Sequence, residues 1–288
     1  MKRIVLLSGK GGTGKTSLAA ALVRLAGPVV AVDADVDAAN LALLLPGVDA
    51  PGRTFVAGRR ARIDPALCIG CMRCVGTCPF DAIAETPDGT ARVDPLACEG
   101  CGVCANHCHV DAIAFADHEA GSWTVRETDW GPLVHAALGV GEDNSGKLVA
   151  QVRQVAARVA GERGLDLVVI DGPPGIGCPV HAAVTGTDLV VAVTEPGVAA
   201  THDLERLWQL AAAFQVRTAL VLNKADLHPG AAQAVRQRAA EAGVSVIAEI
   251  PFLEQVPRGL AAGLGLVDVP ALRAPIAGAL DAVRALLA

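Results

Sequence analysis

Short runs of apolar, often β-branched residues alternate along the chain with longer segments in which apolar residues return every three or four positions. The apolar runs predict buried strands at Ile4–Leu7, Val29–Val32, Leu165–Ile170, Leu189–Thr194, Thr218–Leu222 and Val244–Ile250. Helical spacing is found at Ser17–Leu25, Leu148–Arg163, Thr201–Phe214, Gly230–Ala242 and Pro270–Ala288. Strands that are apolar throughout are typical of sheets covered on both faces. The pattern therefore predicts an α/β fold with a parallel sheet.

The alternation is interrupted in the middle of the chain. Residues 46–58 are rich in proline and glycine, which predicts that the chain leaves the α/β domain there. Residues 60–118 then contain a repeat with a period of 30, because Asp64–Cys68 is echoed by Asp94–Cys98 and Asp81–Ala84 by Asp111–Ala114. Two copies predict a small pseudo-symmetric module. We therefore expect one domain from 1–58 and 119–288, with an inserted module at 59–118.

Composition narrows the classes of function. The net charge of −6, the absence of tyrosine and the 3% aromatic content argue against a nucleic-acid-binding protein. No stretch approaches the roughly 18 apolar residues of a membrane span. The first apolar run is broken by Ser8 and Lys10, unlike the core of a signal peptide. These features predict a cytoplasmic location without a membrane span.

Eight of the nine cysteines lie between residues 68 and 108. Each half of the repeat carries the spacing C-x2-C-x2-C-x3-C, which is that of bacterial ferredoxins with two [4Fe–4S] clusters. In that pattern the fourth cysteine of each run binds the other cluster. One predicted ligand set is Cys68, Cys71, Cys74 and Cys108, and the other is Cys98, Cys101, Cys104 and Cys78. Zinc remains the alternative, because paired C-x2-C motifs also bind zinc.

A second motif follows the first predicted strand. Residues 9–16 fit the phosphate-loop pattern G-x-x-x-x-G-K-[ST], and a helical segment comes directly after them. Lys15 is expected to reach the β- and γ-phosphates and the Thr16 hydroxyl to bind Mg²⁺. The candidate nucleotide-binding residues of this segment are Gly9, Lys10, Gly11, Gly12, Thr13, Gly14, Lys15, Thr16 and Ser17.

The additional lysine, Lys10, makes this loop similar to the deviant Walker A loop of Mrp/MinD-type ATPases, a class that includes the nitrogenase iron protein. The resemblance implies that Lys10 crosses a dimer interface to the partner's nucleotide. Asp33-Ala34-Asp35 resembles the first switch of that family, which places Asp35 near the attacking water. Asp171, at the end of a Walker B-like strand, would hold Mg²⁺, usually through a water. Gly172–Gly175 would form the second switch.

The segment Asn223–Asp226 follows another predicted strand, at the position where this family places residues that contact the base. The family resemblance implies ATP as the ligand of Asn223, Lys224 and Asp226. The same residues also match the N-K-x-D pattern by which GTPases recognise guanine, so GTP stays open. A third interpretation of Asp226 is an N-cap of the helix that begins near Pro229.

Together these motifs resemble MinD-superfamily ATPases with an inserted two-cluster ferredoxin domain. The resemblance implies ATP, Mg²⁺ and two [4Fe–4S] clusters as cofactors. It also implies a homodimer, or a dimer with a paralogous ATPase, that couples ATP hydrolysis to electron transfer toward a partner protein. The alternatives are an iron–sulfur carrier of the Mrp type, for which no cysteine follows Cys178, and a MinD-like positioning switch, for which a basic amphipathic tail is absent.

Cys178 is the cysteine outside the repeat, seven residues after Asp171. The nitrogenase iron protein carries a cluster-binding cysteine at that spacing. Its second cysteine corresponds to Glu142 here. Cys178 is therefore a candidate ligand or redox partner across a dimer, with simple packing as the alternative.

Overall fold

The computed structural model describes residues 1–142, 145–197 and 199–288, which divide into two units. The first unit comprises residues 1–53, 123–137 and 145–288, and the second comprises 54–122 and 138–144. These bounds differ from the expected boundaries at 58/59 and 118/119. The chain passes between the units within the long strands Arg53–Ile63 and Ile113–Thr128, which the sequence pattern did not predict.

Twelve strands are found in the described ranges. They are β1 Lys2–Ser8, β2 Val30–Asp33, β3 Gly47–Asp49, β4 Arg53–Ile63, β5 Ile83–Glu85, β6 Ala91–Val93, β7 Ile113–Thr128, β8 Gly131–Leu138, β9 Leu167–Pro174, β10 Leu189–Thr194, β11 Arg217–Asn223 and β12 Ser245–Ile250.

Ten α-helices accompany them in the same ranges. They are α1 Lys15–Ala26, α2 Leu41–Leu44, α3 Arg73–Thr77, α4 Val103–Asn106, α5 Ser145–Arg163, α6 Cys178–Val184, α7 Ala200–Ala213, α8 Pro229–Glu241, α9 Gln255–Ala261 and α10 Pro270–Leu287.

In the first unit the strands lie in the order β12-β11-β10-β1-β9-β2-β8-β7-β3. The pairs from β12 to β8 are parallel, and β3 pairs antiparallel with β7. The four residues Ile4–Leu7 of β1 are all fully buried, because helices cover both faces of the sheet. Helices α1 and α10 pack on the face that carries Ile4 and Leu6. The predicted α/β fold with a parallel sheet is confirmed.

The proline- and glycine-rich segment 46–58 has more regular structure than predicted. It contains β3 and the first residues of β4, and only Pro46 and the connection around Pro51 and Gly52 lack secondary structure. Burial alternates in β4, where Phe55 and Ala57 are buried and Val56 is exposed. Helix α5 begins at Ser145, three residues before the predicted helical segment Leu148–Arg163.

The second unit is built from two similar halves. Strands β5 and β6 form an antiparallel hairpin, β4 pairs with β7, and α3 packs on α4. The halves are connected by matching backbone bonds: Asp64 N donates to Ala112 O at 2.8 Å, and Asp94 N donates to Ala82 O at 2.7 Å. The repeat in the sequence therefore corresponds to an approximate twofold arrangement of the backbone.

Candidate functional site

The phosphate loop connects β1 to α1 and requires glycine at two left-handed positions. Gly12 has a φ of 81° and Gly14 a φ of 88°, which residues with a Cβ rarely adopt. A Cβ at Gly14 would also overlap Asn223 Nδ2, which donates to Thr13 O at 2.8 Å. Asn223 therefore supports the loop from the end of β11.

Lys15 and Asp171 form an ion pair beneath the loop. Lys15 Nζ lies 2.7 Å from Asp171 Oδ1, and the two side chains are 6% and 0% exposed. Burial raises the pKa of Asp171, while Lys15 and the Thr16 hydroxyl oppose that rise. Asp171 Oδ2 and Thr13 Oγ1 are buried and have no hydrogen-bond partner among the described residues. Unpaired buried oxygens need a ligand or water. Together with the Lys15 ammonium group, these two oxygens form a site that fits a nucleotide phosphate with Mg²⁺.

Asp33 organises the backbone of the first switch segment. Its Oδ2 accepts from Asn40 N at 2.9 Å and from Leu41 N at 2.8 Å, and its Oδ1 accepts from Asp35 N at 3.2 Å. Burial, followed by the charge of Asp171, raises the pKa of Asp33 to about 7. Burial also raises the pKa of Asp35, against the opposing charge of Lys15.

A cleft of about 560 Å³ opens above the loop at the carboxyl ends of the parallel strands. Parallel α/β sheets bind ligands at this edge. The polar side is lined by the loop, Asp35 and Asn40, and the opposite side is apolar. The predicted residues that line the cleft are Gly11, Gly12, Thr13, Gly14, Lys15, Thr16, Ser17, Asp35, Asn223 and Lys224, and the apolar wall includes Ile250, Phe252, Leu253, Val256, Pro257 and Leu260. The shape suits a nucleotide, with phosphates at one end and a base at the other.

Asp226 lies beside this cleft without lining it. Its Oδ1 accepts from Phe252 N at 2.7 Å, which fixes the loop that follows β12. The expected capping role is wrong, because His228 precedes α8 and no side chain caps that helix. This bond uses one oxygen of the carboxylate that the N-K-x-D pattern assigns to guanine.

Glu195 is a residue that the sequence patterns did not identify. Its Oε1 lies 2.7 Å from Lys10 Nζ, and its Oε2 lies 2.7 Å from Lys224 Nζ. Lys224 Nζ also donates to Gly12 O at 3.2 Å. Burial raises the pKa of Glu195, but the bonds from the two lysines outweigh burial and hold the pKa below its usual range. Its position directly after the apolar run Leu189–Thr194 is the signal that could have revealed it.

Cys178 and Glu142 have different surroundings. Cys178 is exposed at the start of α6 in the first unit. Glu142, in the second unit, is largely buried: its Oε1 lies 2.7 Å from His118 Nε2 and its Oε2 lies 3.6 Å from Arg60 Nη2. These contacts make Glu142 part of a charged cluster within its own unit.

The cysteines of the second unit line two cavities. One cavity is lined by Cys68, Cys71, Cys74 and Cys108, and the other by Cys78, Cys98, Cys101 and Cys104. These are the two crossed sets that the ferredoxin spacing predicts, and in each set the fourth cysteine comes from the other half of the repeat.

The fourth cysteines also have matched surroundings. Ala82 N lies 3.3 Å from Cys78 Sγ, and Ala112 N lies 3.3 Å from Cys108 Sγ. Hydrogen bonds to sulfur are among the features by which proteins set the potential of an iron–sulfur cluster. Within the described ranges, no three histidine, cysteine or acidic side chains are gathered for a single metal ion. Each cavity nevertheless brings four cysteine side chains together.

Every helix in the described ranges is too short or too polar to cross a bilayer.

Comparison with known proteins places the chain among P-loop proteins. It is 36% identical over 230 residues to an uncharacterized protein of Methanocaldococcus jannaschii. The matched region covers 78% of this chain and 79% of that protein. The fold is similar to that of the septum site-determining protein MinD complexed with Mg-ADP from Pyrococcus horikoshii. That similarity has a TM-score of 0.58 at 19% identity, over 98% of this chain and 95% of the other.

The Cyanothece McdA(D38A)–ATP complex shares the fold with a TM-score of 0.60 at 17% identity, over 99% of this chain and 96% of the other. The family described as "CobQ/CobB/MinD/ParA nucleotide binding domain" matches residues 4–267. Because that match extends over most of the sequence, this chain belongs to the CobQ/CobB/MinD/ParA nucleotide-binding domain family.

Proposed function

We propose that this P-loop ATPase is a dimerising switch that uses ATP binding and hydrolysis to control electron transfer through two [4Fe–4S] clusters in its second unit. A one-electron donor protein would reduce the clusters, and an acceptor protein would take the electrons. The observation that carries the proposal is the crossed grouping of the eight cysteines around two cavities.

The nucleotide half of the proposal rests on the cleft of the first unit. Lys15 would exchange part of its bond to Asp171 for the β- and γ-phosphates. Thr16 and Asp171 would hold Mg²⁺, and Asp35 would orient the attacking water. ATP and Mg²⁺ also fit the MinD structure solved with Mg-ADP. Turnover would transfer the γ-phosphoryl group to water and leave ADP, which alters the ligands of both switch segments.

The electron-transfer part of the proposal rests on the cysteines of the second unit. Cys68, Cys71, Cys74 and Cys108 would hold one cluster, and the remaining four cysteines would hold the other. When bound, the clusters would supply carriers for single electrons. The backbone groups Ala82 N and Ala112 N would then donate hydrogen bonds to the two cluster ligands that come from the opposite half.

A MinD-like positioning or binding switch is the second candidate, and the comparisons favour it over electron transfer. The solved structures similar to this chain include a MinC:MinD cell division complex from Aquifex aeolicus. In this alternative the nucleotide controls a protein partner, and the second unit serves as a recognition module.

Anaerobic purification with iron analysis and EPR tests the proposal. We expect about eight irons per chain, the content of two four-iron clusters. The EPR spectra of the reduced protein, and its rate of electron delivery to an acceptor, should differ between the ATP-bound and the ADP-bound protein. Stoichiometric zinc from iron-replete cells would overturn the cluster assignment. Eight irons with identical electron delivery in both nucleotides would favour the binding switch.

Lys10→Ala tests the dimeric ATPase separately. If Lys10 stabilises charge on the partner's γ-phosphate, turnover should fall on the scale of arginine fingers, about 10³- to 10⁵-fold, while nucleotide still binds. ATP-dependent dimerisation, followed by analytical ultracentrifugation, should be lost as well. Unchanged turnover would exclude this role for Lys10.

A further inference from the structure

Glu195 connects two lysines at the edge of the phosphate loop. Lys10 and Lys224 each approach one oxygen of the same carboxylate, at 2.7 Å. The Glu195 side chain is 21% exposed, while those of Lys10 and Lys224 are 47% and 28% exposed. The contact therefore lies at the surface, beside the nucleotide cleft.

The two lysines depend on Glu195 to different degrees. Lys224 is also bonded to Gly12 O and follows Asn223, whose amide supports the loop. Glu195 is the one acidic side chain within ion-pair distance of Lys10 in the described ranges, and its charge also offsets the repulsion between the two ammonium groups. Loss of this carboxylate would leave Lys224 in place and release Lys10.

We propose that Glu195 is a positioning residue that holds Lys10 on its own subunit and so competes with the use of Lys10 across the dimer. The proposal rests on the dimeric ATPase proposed above. Glu195 then weakens ATP-dependent dimerisation, because the Lys10–Glu195 pair of each subunit must open before either lysine can reach the partner's nucleotide.

Glu195→Gln, which keeps the shape and removes the charge, is the direct test. Exposed ion pairs shift equilibria by about 1.4- to 5.4-fold each, and two pairs open per dimer, so we expect ATP-dependent dimerisation to strengthen by about two- to thirty-fold. Analytical ultracentrifugation across a range of protein concentrations measures this constant. The matched control is Glu205→Gln, which removes an equal charge from α7, where Glu205 pairs with Arg238. Dimerisation of the control should be unchanged.

The double variant Lys10→Ala/Glu195→Gln tests the pathway of the effect. Because Lys10→Ala by itself should abolish ATP-dependent dimerisation, the double variant should also stay monomeric; dimerisation restored by the loss of Glu195 would show that Glu195 acts through a group other than Lys10. Unchanged or weaker dimerisation of Glu195→Gln itself would overturn the proposal, since the carboxylate would then be neutral or would support the dimer.

A second measurement does not depend on the dimer. The acetylation rate of Lys10 in nucleotide-free protein, followed by mass spectrometry, should rise about 1.4- to 5.4-fold in Glu195→Gln relative to Glu205→Gln, because one ion pair opens per chain. An unchanged rate would show that Glu195 does not hold Lys10. If the wild-type protein forms no dimer with ATP, the proposed dimeric function fails, and the acetylation rate still decides whether the contact exists.

Discussion

At the scale of single residues, the most consequential contact is the ion pair between Lys15 and Asp171. Both groups are buried, and the carboxylate retains one oxygen without a partner. A buried charge whose partner is removed is strongly destabilising. The pair therefore combines a structural role with readiness to bind phosphate and Mg²⁺.

Lys15→Met should lower the free energy of unfolding by about 3–5 kcal/mol, because Asp171 loses its counter-charge inside the fold. Urea unfolding monitored by circular dichroism measures the change. The double variant Lys15→Met/Asp171→Asn should recover most of the loss, since it leaves no unpaired charge. Equal stabilities of the single and double variants would contradict this account.

The raised pKa of Asp33 predicts how the free energy of unfolding depends on pH. Burial and the nearby Asp171 raise its pKa from 3.8 to about 7, so the folded protein holds a proton that the unfolded chain releases near pH 4. The resulting stabilisation is present at low pH and is lost as the pH rises from about 4 to about 7.

Asp33→Asn should make the unfolding free energy less dependent on pH in this window, although Asp171 keeps part of the dependence. Urea midpoints between pH 4.5 and 8 measure the slope. Asp37→Asn, which changes an exposed carboxyl group of the same segment, serves as the control and should change the slope less than Asp33→Asn does. Equal slopes in both variants would argue against a proton held by Asp33.

At the scale of elements, the turn from β1 to α1 depends on backbone conformations that favour glycine. Gly14 has a left-handed backbone conformation and faces Asn223. A side chain there would both strain the backbone and displace the Asn223 amide, which donates a hydrogen bond to Thr13 O. Gly11, in the same turn, has open space around its Cα and an ordinary φ.

Gly14→Ala should therefore cost about 1–3 kcal/mol of stability from the left-handed strain. Its nucleotide affinity should fall at least ten-fold, as the loop shifts. Gly11→Ala should cost less than about 1 kcal/mol, since it adds no such strain. Thermal unfolding and calorimetric titration with ATP compare the two. A loss of stability in Gly11→Ala as large as that in Gly14→Ala would refute the geometric argument.

At the scale of the whole molecule, the nucleotide residues and the cysteine sets belong to different units. Each unit has its own buried core, with Ile4, Leu6 and Leu18 in the first and Ala61, Ala82 and Ile83 in the second. Damage to one site should therefore leave the other site folded.

Cys101→Ser should remove about four of the eight expected irons, because one cluster loses a ligand. ATP affinity should stay within about two-fold of the wild-type value. Iron analysis and isothermal titration on the same anaerobic samples measure both quantities. A large loss of ATP affinity would show that the second unit is needed to form the nucleotide site.

The sequence by itself determined the fold class and the presence of a nucleotide-binding loop. Continuous apolar runs located the buried parallel strands, because burial on both faces leaves little room for polar residues. The phosphate loop could be recognised because its geometry depends on local glycines and one lysine. The cysteine spacing likewise predicted which four residues share each cavity, since the repeat encodes its own symmetry.

Other features depended on contacts between distant segments, which a local pattern does not encode. The long strands β4 and β7 were missed because few of their residues are buried, so neither strand contains a continuous apolar run. Asp226 matched a guanine-recognition motif, yet its carboxylate accepts from Phe252 N, 26 residues away. Glu195 meets Lys10 from a strand 185 positions along the chain. Only the tertiary structure brings these groups together, because the parallel sheet gathers the carboxyl ends of sequence-distant strands at one edge.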